Sequence, residues 1–257
     1  MPMSIEAIVE EGVRSSLDPS TLVGTIEICQ PPHNHLNGDI LARVLEVAGE
    51  LKSAGARALV LCSEGKNFCA GANFGAMSGR ADVYELGVQI VAQPLPIVAA
   101  VQGATVGGGV GLALAADLRI TTPDSYFWIN FSRLGLHHGF GLSVTLPRAV
   151  GAQKALELLY TSRRIDGTAA FEIGLCDEVV PTETLRDRAH AVAAEIASNA
   201  PLAVREIRRT MRGDLASQMM AAMKAEREVQ DKLMRTADFR EGTAAVRERR
   251  SPVFAAN

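Results

Sequence analysis

The sequence is poor in aromatic residues and in cysteine. Only 5% of the 257 residues are Phe, Trp or Tyr, and the four cysteines stand at 29, 62, 69 and 176 without a C-x-x-C pair. This spacing indicates neither a zinc motif nor a disulfide framework. We therefore expect reduced thiols and a cytoplasmic protein, because free cysteines persist in reducing compartments.

The chain also lacks a long apolar run and a strong excess of charge of one sign. Its longest apolar stretches, such as 97–101 and 110–116, are far shorter than the roughly 20 residues that span a bilayer. The first residues, MPMSIEAIVEEGVRSS, have no basic segment followed by an apolar one, so we expect no signal peptide. A net charge of −3 and the few aromatics argue against a nucleic-acid-binding module.

What the sequence does contain is an alternation of short apolar runs with helical patterns. The runs LVGTIEI (22–28), ARALVLCS (56–63) and PIVAAVQG (96–103) predict strands. Apolar residues at helical spacing predict a helix over 38–54. Strand, helix and strand in this order favour an α/β domain with parallel pairing.

Beyond about residue 140 the patterns become mostly helical. We predict an α/β core over 1–195, which includes further strands at 118–123 and 125–129, and a helical C-terminal region over 196–257. One predicted helix of this region places four arginines on a single face, which we expect to be solvated or to form ion pairs between subunits: Arg205, Arg208, Arg209 and Arg212.

Three consecutive glycines, 107–109, lie between the predicted strand 96–103 and a predicted helix, VGLALAAD (110–117). The first N–H groups of a helix have no internal partner and carry partial positive charge, which suits an anionic or polar ligand. No P-loop lysine follows, and Gly111 makes the run G-x-G-x-G rather than the Rossmann G-x-G-x-x-G. Tight packing of helix against strand and close approach of a ligand both explain such a run.

A second small-residue segment, FCAGAN (68–73), follows the predicted strand 56–63. Two strand ends with bare backbone amides suit a pair of N–H donors aimed at one oxygen. Such a pair is an oxyanion hole, in which each donor stabilises developing negative charge by a few kcal/mol.

The sequence resembles the crotonase, or enoyl-CoA hydratase/isomerase, superfamily in four segments: GKNFCAGANF, PLPIVAAVQGATVGGGVGLALAADLRI, LGLHHGFGLSVTLPRAVG and TSRRIDGTAAFEIGLCDEVVP. They occur in the family's order and at its spacing, and the resemblance extends from about residue 20 to the tail. It implies a spiral of ββα units with a helical C-terminal trimerisation region. It also implies a homotrimer or a dimer of trimers.

The resemblance further implies an acyl-CoA thioester as ligand, with coenzyme A as part of the substrate and no separate cofactor. The two N–H donors of the implied oxyanion hole are those of Ala72 and Gly108. Residues at positions that contact coenzyme A in the family, the last of them from a neighbouring subunit, are His35, Leu36, Ala70, Asn73, Phe74 and Arg249.

The sequence departs from the family where hydratases carry two glutamates, because these positions are Gly111 and Phe131. The aspartate of related dehalogenases is Gly139, and Asn73 and Gly75 replace an acidic and a basic residue of the family. Adding water to a double bond needs one group to activate the water and another to protonate carbon. Glycine and phenylalanine do neither, so we do not expect this protein to be an efficient hydratase.

Histidines supply an alternative acid or base. His137 and His138 stand in LGLHHGFG, where many relatives have a proline, and histidine is the commonest general acid–base at neutral pH. If the loop is extended, only one of them faces the pocket; ordinary loop histidines remain the alternative. Asn130 is a candidate for orienting a water or a carbonyl. The residues predicted to line the substrate pocket are Gly111, Asn130, Phe131 and Phe140.

No metal site is predicted. His33 and His35 are spaced like two residues on one face of a strand, but no carboxylate or cysteine ligand lies near them in sequence.

Two functions follow from these observations. The first is an acyl-CoA-processing enzyme that polarises a thioester carbonyl in the oxyanion hole without efficient hydration. The second is a protein that binds acyl-CoA without turnover, which the two missing glutamates favour. Turnover that is lost when both His137 and His138 are replaced by alanine would distinguish the first from the second.

Overall fold

The computed structural model describes residues 5–72 and 82–257. Ten strands occur in these ranges: β1 (Ile5–Glu10), β2 (Val13–Asp18), β3 (Val23–Ile28), β4 (Ala58–Ser63), β5 (Ile97–Val101), β6 (Ala104–Val106), β7 (Leu118–Thr121), β8 (Tyr126–Trp128), β9 (Arg164–Asp166) and β10 (Glu178–Val179). Seven of them form one sheet in the order β1-β2-β3-β4-β5-β7-β10, and three form a small sheet in the order β6-β8-β9.

The large sheet is antiparallel at one edge and parallel elsewhere. β1 pairs with β2, and β2 with β3, in antiparallel register. From β3 onward each neighbouring pair is parallel. Parallel neighbours need crossover connections, and helices provide them here.

Ten α-helices occur in the described ranges: α1 (Gly38–Ser53), α2 (Val83–Ala92), α3 (Gly108–Ala115), α4 (Leu142–Val150), α5 (Ala152–Thr161), α6 (Gly167–Glu172), α7 (Leu185–Ala197), α8 (Pro201–Arg212), α9 (Leu215–Leu233) and α10 (Ala237–Glu248). The first of them begins where Asn37 accepts a hydrogen bond from the N–H of Ile40, which satisfies a free donor of the first turn.

The core has two parts, one on each face of the large sheet. All of β4 is buried, and its side chains alternate between the two parts, because successive residues of a strand point to opposite faces. Ala58 and Val60 pack against alanines of α7, such as Ala189 and Ala193. Leu59 lies on the opposite face, in the larger cluster that includes residues of α1, α2 and α3.

The C-terminal helices are joined to the core partly by buried ion pairs. Asp117, after α3, accepts hydrogen bonds from Arg208 Nε (3.0 Å) and Arg212 Nη1 (2.6 Å), both on α8. It also accepts one from the N–H of Ile97 (2.8 Å). The expectation of a solvated face is therefore wrong for Arg208 and Arg212, because the sequence does not show that a carboxylate of the core lies opposite them.

The α/β class and the helical C-terminal region are confirmed. The predicted strand 125–129 exists as β8 but belongs to the small sheet. In the part predicted to be mostly helical, α4 and α5 meet at Gly151, where φ is +77°. The hairpin of β1 and β2 was not predicted. The division at 195 stays a prediction, although α7 ends at Ala197.

Across residues 5–72 and 82–257, no helix combines the length and the apolar character that crossing a membrane would require.

Candidate functional site

The glycine run forms the turn between β6 and α3. Gly107 has φ +54°, a left-handed conformation that glycine adopts without strain, and its N–H donates to the carbonyl of Trp128 (2.9 Å). A Cβ on Gly109 would stand 2.4 Å from the carbonyl oxygen of Cys69, which is too close for any other residue. Gly107 is therefore required by its backbone conformation and Gly109 by its contact with the backbone of Cys69.

Residues 69–72 run beside this turn. Cys69 forms a parallel bridge with Thr105, and Leu36 forms one with Ala72. Leu36 also lies against Gly108, since its Cδ2 is 3.0 Å from the point where a Cβ on Gly108 would stand, so Ala72 and Gly108 both adjoin Leu36. The N–H of Val106 donates to the carbonyl of Cys69 (2.9 Å), which holds the two segments together.

Ala72 and Gly108 share two properties. Both are partly exposed, whereas Gly71, Gly107 and Gly109 beside them are buried. Neither backbone N–H donates to an acceptor within the part of the chain that the structure describes. Gly108 also opens α3, so its N–H lies at the positive end of the helix dipole. The site thus offers free donors to an oxygen atom.

The predicted contacts His35, Leu36 and Ala70 gather at the same place. The N–H of Ala70 donates to the carbonyl of His33 (2.9 Å), and Nδ1 of His35 donates to the carbonyl of Gly71 (3.1 Å). Cδ2 of Leu36 lies 3.0 Å from the point where a Cβ on Gly108 would stand. Other predicted contacts, Asn73 and Phe74, lie outside the described residues, as does the departure at Gly75.

Two asparagines that sequence reasoning missed hold these loops together. Nδ2 of Asn34 donates to the carbonyls of Glu64 (2.9 Å) and Asn67 (2.7 Å). Oδ1 of Asn67 accepts from the N–H of Ala104 (3.0 Å), and its Nδ2 donates to the carbonyl of Pro32 (2.8 Å). The available signal was the turn composition of PPHN, since asparagine tolerates a left-handed backbone and Asn34 has φ +49°.

Gly111, one of the two positions that the resemblance matches to a hydratase glutamate, is packed by Phe140. A Cβ on Gly111 would stand 2.6 Å from Cδ1 and 2.9 Å from Cβ of Phe140. The ring also touches α2, because a Cβ on Gly87 would stand 2.8 Å from its Cζ. Phe140 is only 3% exposed. The space for a side chain at position 111 is therefore taken by an aromatic ring.

Phe131, at the other glutamate position, lies against the glycine turn. Its Cζ is 3.6 Å from the point where a Cβ on Gly107 would stand, and Oδ1 of Asn130 is 3.3 Å from the same point. Both residues are buried. The structure thus brings all four predicted pocket residues, Gly111, Asn130, Phe131 and Phe140, to the first turns of α3.

The two histidines stack on each other instead of pointing to opposite sides. The rings of His137 and His138 are 4.0 Å apart between centroids, with an angle of 26° between their planes. Nδ1 of His137 donates to the backbone carbonyl of His138 (2.7 Å), and Nε2 of His138 is hydrogen bonded to the hydroxyl of Ser143 (2.7 Å). The loop is therefore folded, and the alternation expected of an extended loop does not apply.

Burial, and then the neighbouring His137, lower the pKa of His138 to about 4. Oε1 of Glu226 lies 3.9 Å from Nε2 of His138, beyond hydrogen-bond distance. His138 is consequently neutral at pH 7. Nε2 of His137 has no hydrogen-bond partner among residues 5–72 and 82–257, so it is the ring nitrogen of the pair that stays open to a ligand.

Helix α9 fixes the loop through two buried side chains that the sequence analysis did not identify. Glu226 accepts hydrogen bonds from the N–H groups of Gly141 (2.9 Å) and Ser143 (3.0 Å). Nε2 of Gln230 donates to the carbonyl of His137 (2.9 Å). A spacing of four residues places Glu226 and Gln230 on one helix face, but nothing local in the sequence shows what that face meets.

Tyr84 of α2 completes this network, since its hydroxyl donates to Oε1 of Gln230. Burial, and then Glu226, raise the pKa of Tyr84 to about 12. A Cβ on Gly139 would stand 2.7 Å from the Tyr84 hydroxyl oxygen. A dehalogenase-type aspartate at position 139 therefore has no room in this arrangement.

Arg249 lies away from these segments. It follows α10 with φ +56°, is exposed, and its N–H donates to the carbonyl of Val246 (3.3 Å). Its contact with a neighbouring subunit stays a prediction. Across residues 5–72 and 82–257 no group of three or more His, Cys, Asp or Glu side chains is arranged to hold a metal ion.

The arrangement suits a polarised carbonyl better than proton transfer. Two free N–H donors on adjacent segments can hold one oxygen and stabilise negative charge that develops on it. The positions beside them, at 111 and 131, carry no carboxylate.

Known proteins share the sequence pattern and the fold of this chain. The family model for enoyl-CoA hydratase/isomerase matches residues 19–257. The enoyl-CoA hydratase domain-containing protein 2 of Mus musculus is 36% identical over 241 residues, which cover 86% of this chain and 80% of the mouse protein. Carnitinyl-CoA hydratase from Mycobacterium avium has a similar structure, with a TM-score of 0.86 and 29% identity over 97% of this chain and 100% of that one.

A second solved structure is similar over nearly the same share of this chain. The enoyl-CoA hydratase/isomerase from Pseudoalteromonas atlantica has a TM-score of 0.84 and 30% identity, over 95% of this chain and 100% of that one. The family match covers nearly the whole chain, and the fold is shared from end to end. The chain therefore belongs to the enoyl-CoA hydratase/isomerase family, within the crotonase superfamily.

Proposed function

We propose that this protein processes an acyl-CoA thioester whose carbonyl oxygen is held by the N–H groups of Ala72 and Gly108. The observation that carries the proposal is the pair of N–H donors, partly exposed and without acceptors in the described residues, on segments held side by side. The dipole of α3 adds to the effect at Gly108. Substrate charge would develop at the oxygen as an enolate or a tetrahedral intermediate.

The reaction we propose is one other than efficient hydration. The ring of Phe140 fills the space at Gly111, and Phe131 is buried against Gly107. Loss of a general acid or base costs a factor of roughly 10² to 10⁴ in rate, so a site without both carboxylates hydrates slowly. Thioester hydrolysis, C–C cleavage and decarboxylation all use the retained donors.

We assign any acid–base role to His137 rather than His138. Nε2 of His138 is engaged by Ser143, whereas Nδ1 of His137 donates to a carbonyl and leaves Nε2 as an acceptor. His137→Gln should then lower turnover strongly, and His138→Gln should lower it less. Equal turnover in wild type and His137→Gln would remove this assignment.

The second candidate is an acyl-CoA-binding protein without turnover. Its support is that the ring of Phe140 fills the space at Gly111. Neither residue can transfer a proton, so a thioester could be bound there without reacting. Both candidates use the donors at Ala72 and Gly108. A homotrimer or dimer of trimers, contact of Arg249 with a neighbouring subunit's coenzyme A, and a cytoplasmic location suited to the free cysteines complete the proposal.

The test is mass spectrometry of the products formed from a panel of CoA esters in heavy-oxygen water. The panel holds 2-enoyl-, 3-enoyl-, 3-keto- and saturated acyl-CoA esters. Free CoA with a labelled acid supports hydrolysis, and a shortened acid supports C–C cleavage. Heavy oxygen at the third carbon of an enoyl ester means hydration and contradicts the proposed reaction. An unchanged panel that is nevertheless bound favours the second candidate.

A further inference from the structure

Phe140 occupies a space between α2 and α3 that two glycines leave open. Its ring lies within 3 Å of the points where Cβ atoms on Gly87 and Gly111 would stand. The two glycines belong to different helices, so they receive the ring from two sides. A side chain at either position would overlap it.

The backbone that carries this ring is held on both sides. Phe140 has φ +61°, a left-handed conformation that is unfavourable for a bulky residue and that the surroundings must maintain. On one side Gly139 packs against Tyr84 and Gln230. On the other, the N–H of Gly141 donates to Glu226 (2.9 Å). The contacts of Gly139 and Gly141 therefore fix the position of the Phe140 ring.

The ring of Phe140 lies close to the candidate carbonyl site. Gly111 follows Gly108 by three residues, so the two positions share one side of α3 and are about 4.5 Å apart along its axis. That distance spans the first few carbons of an acyl chain. An acyl chain that runs from the carbonyl site along this side of α3 would therefore meet the ring.

We propose that Phe140 sets the acyl-group specificity of the site, so that it accepts acyl groups that are narrow at the second and third carbons and rejects those that carry a ring or branch there. The inference rests on the proposed function, because it takes the carbonyl oxygen to be at Ala72 and Gly108. It goes beyond that function by naming the class of acyl group and the residue that selects it.

The experiment compares the dissociation constants of butanoyl-CoA and benzoyl-CoA, measured by calorimetry, in wild type and Phe140→Ala. Free CoA is measured as a reference. We expect wild type to prefer butanoyl-CoA by at least about tenfold, because poor shape complementarity in an apolar pocket discriminates by 10- to 200-fold. Phe140→Ala should reduce that preference by about tenfold or more.

Two further variants keep the result interpretable. Phe127→Ala removes an equally buried ring from the small sheet and should leave the preference unchanged. Phe140→Leu keeps part of the volume, should fold if Phe140→Ala does not, and should have an intermediate preference.

The outcomes separate the two proposals. If neither ester nor free CoA binds to wild type, the proposed function fails. If wild type binds both esters equally, or if the folded Phe140 variants keep the wild-type preference, only the specificity role of Phe140 is wrong.

Discussion

The first turn of α3 and the turn that follows it both depend on glycine, for opposite reasons. At Gly109 the backbone of Cys69 excludes a side chain, and the N–H of Gly108 beside it has no acceptor among the described residues. At Gly111 a side chain from a distant loop, the ring of Phe140, occupies the space. One position thus leaves a backbone N–H open, and the other leaves no room for a side chain. The same residue type in one short run therefore avoids a backbone contact at one position and makes room for a distant ring at another.

The largest effect is expected from Gly109→Ala, which tests the close contact between position 109 and the backbone of Cys69. The new Cβ would stand 2.4 Å from the carbonyl oxygen of Cys69, and backbone cannot relieve the contact by changing a rotamer. We expect the free energy of unfolding in urea to fall by more than about 3 kcal/mol. Any CoA binding should be lost as well, because residues 69–72 and 106–109 are forced apart.

The matched control is Gly49→Ala in α1. Nothing lies within 4 Å of the Cβ position at Gly49, which is exposed. Replacing a helical glycine by alanine in open space should stabilise the protein by about 1 kcal/mol. Similar stabilities for the two variants would contradict the close contact at Gly109.

Glu226→Gln tests the hydrogen bonds that hold the backbone next to Phe140. The buried carboxylate accepts two backbone N–H bonds at the start of α4, and the amide can accept only with its single oxygen. We expect a loss of about 2–3 kcal/mol in urea unfolding, since hydrogen bonds to charged groups contribute about 1.5–3 kcal/mol. Glu228→Gln, on the exposed side of the same helix, should change stability by less than about 0.5 kcal/mol.

His138 gives the same loop a dependence on pH. Its pKa is lowered to about 4, so the folded state binds its proton less readily than the unfolded state does. The unfolded state therefore carries more protons as pH falls below about 6.5, and stability must decrease between that pH and about 4. The groups that face His138 are His137, Ser143 and Glu226.

The measurement is urea unfolding of wild type and His138→Gln at about pH 7.5 and about pH 4.5. Wild type should lose about 2 kcal/mol more than the variant on acidification. The opposite sign would mean that Glu226, 3.9 Å away, outweighs burial and raises the pKa of His138.

Sequence reasoning succeeded where the structural cause is local. The strand-and-helix order and the glycines at 107–109 were visible, because periodicity and backbone demands are properties of neighbouring residues. It did not predict that Phe140 fills the space at Gly111, since a left-handed phenylalanine has no sequence signal. It also missed Glu226, which lies 85 residues from Gly141, the backbone it holds. Nor did it show that the two histidines stack, because their loop is held by Glu226 and Gln230 of α9.

The smallest expected effect, and the sharpest test of the comparison, is the coupling between positions 111 and 140. Gly111→Ala alone should destabilise by about 1–3 kcal/mol, because the new methyl meets a ring that cannot move. In a Phe140→Ala background the same change should be less destabilising by at least about 1 kcal/mol, since residues in contact are coupled by about 0.5–3 kcal/mol. Gly111→Ala combined with Phe127→Ala should instead be additive, because that ring belongs to the small sheet. Additivity in both pairs would mean that something other than the Phe140 ring requires glycine at position 111, and the contrast between the two turns of α3 would be lost.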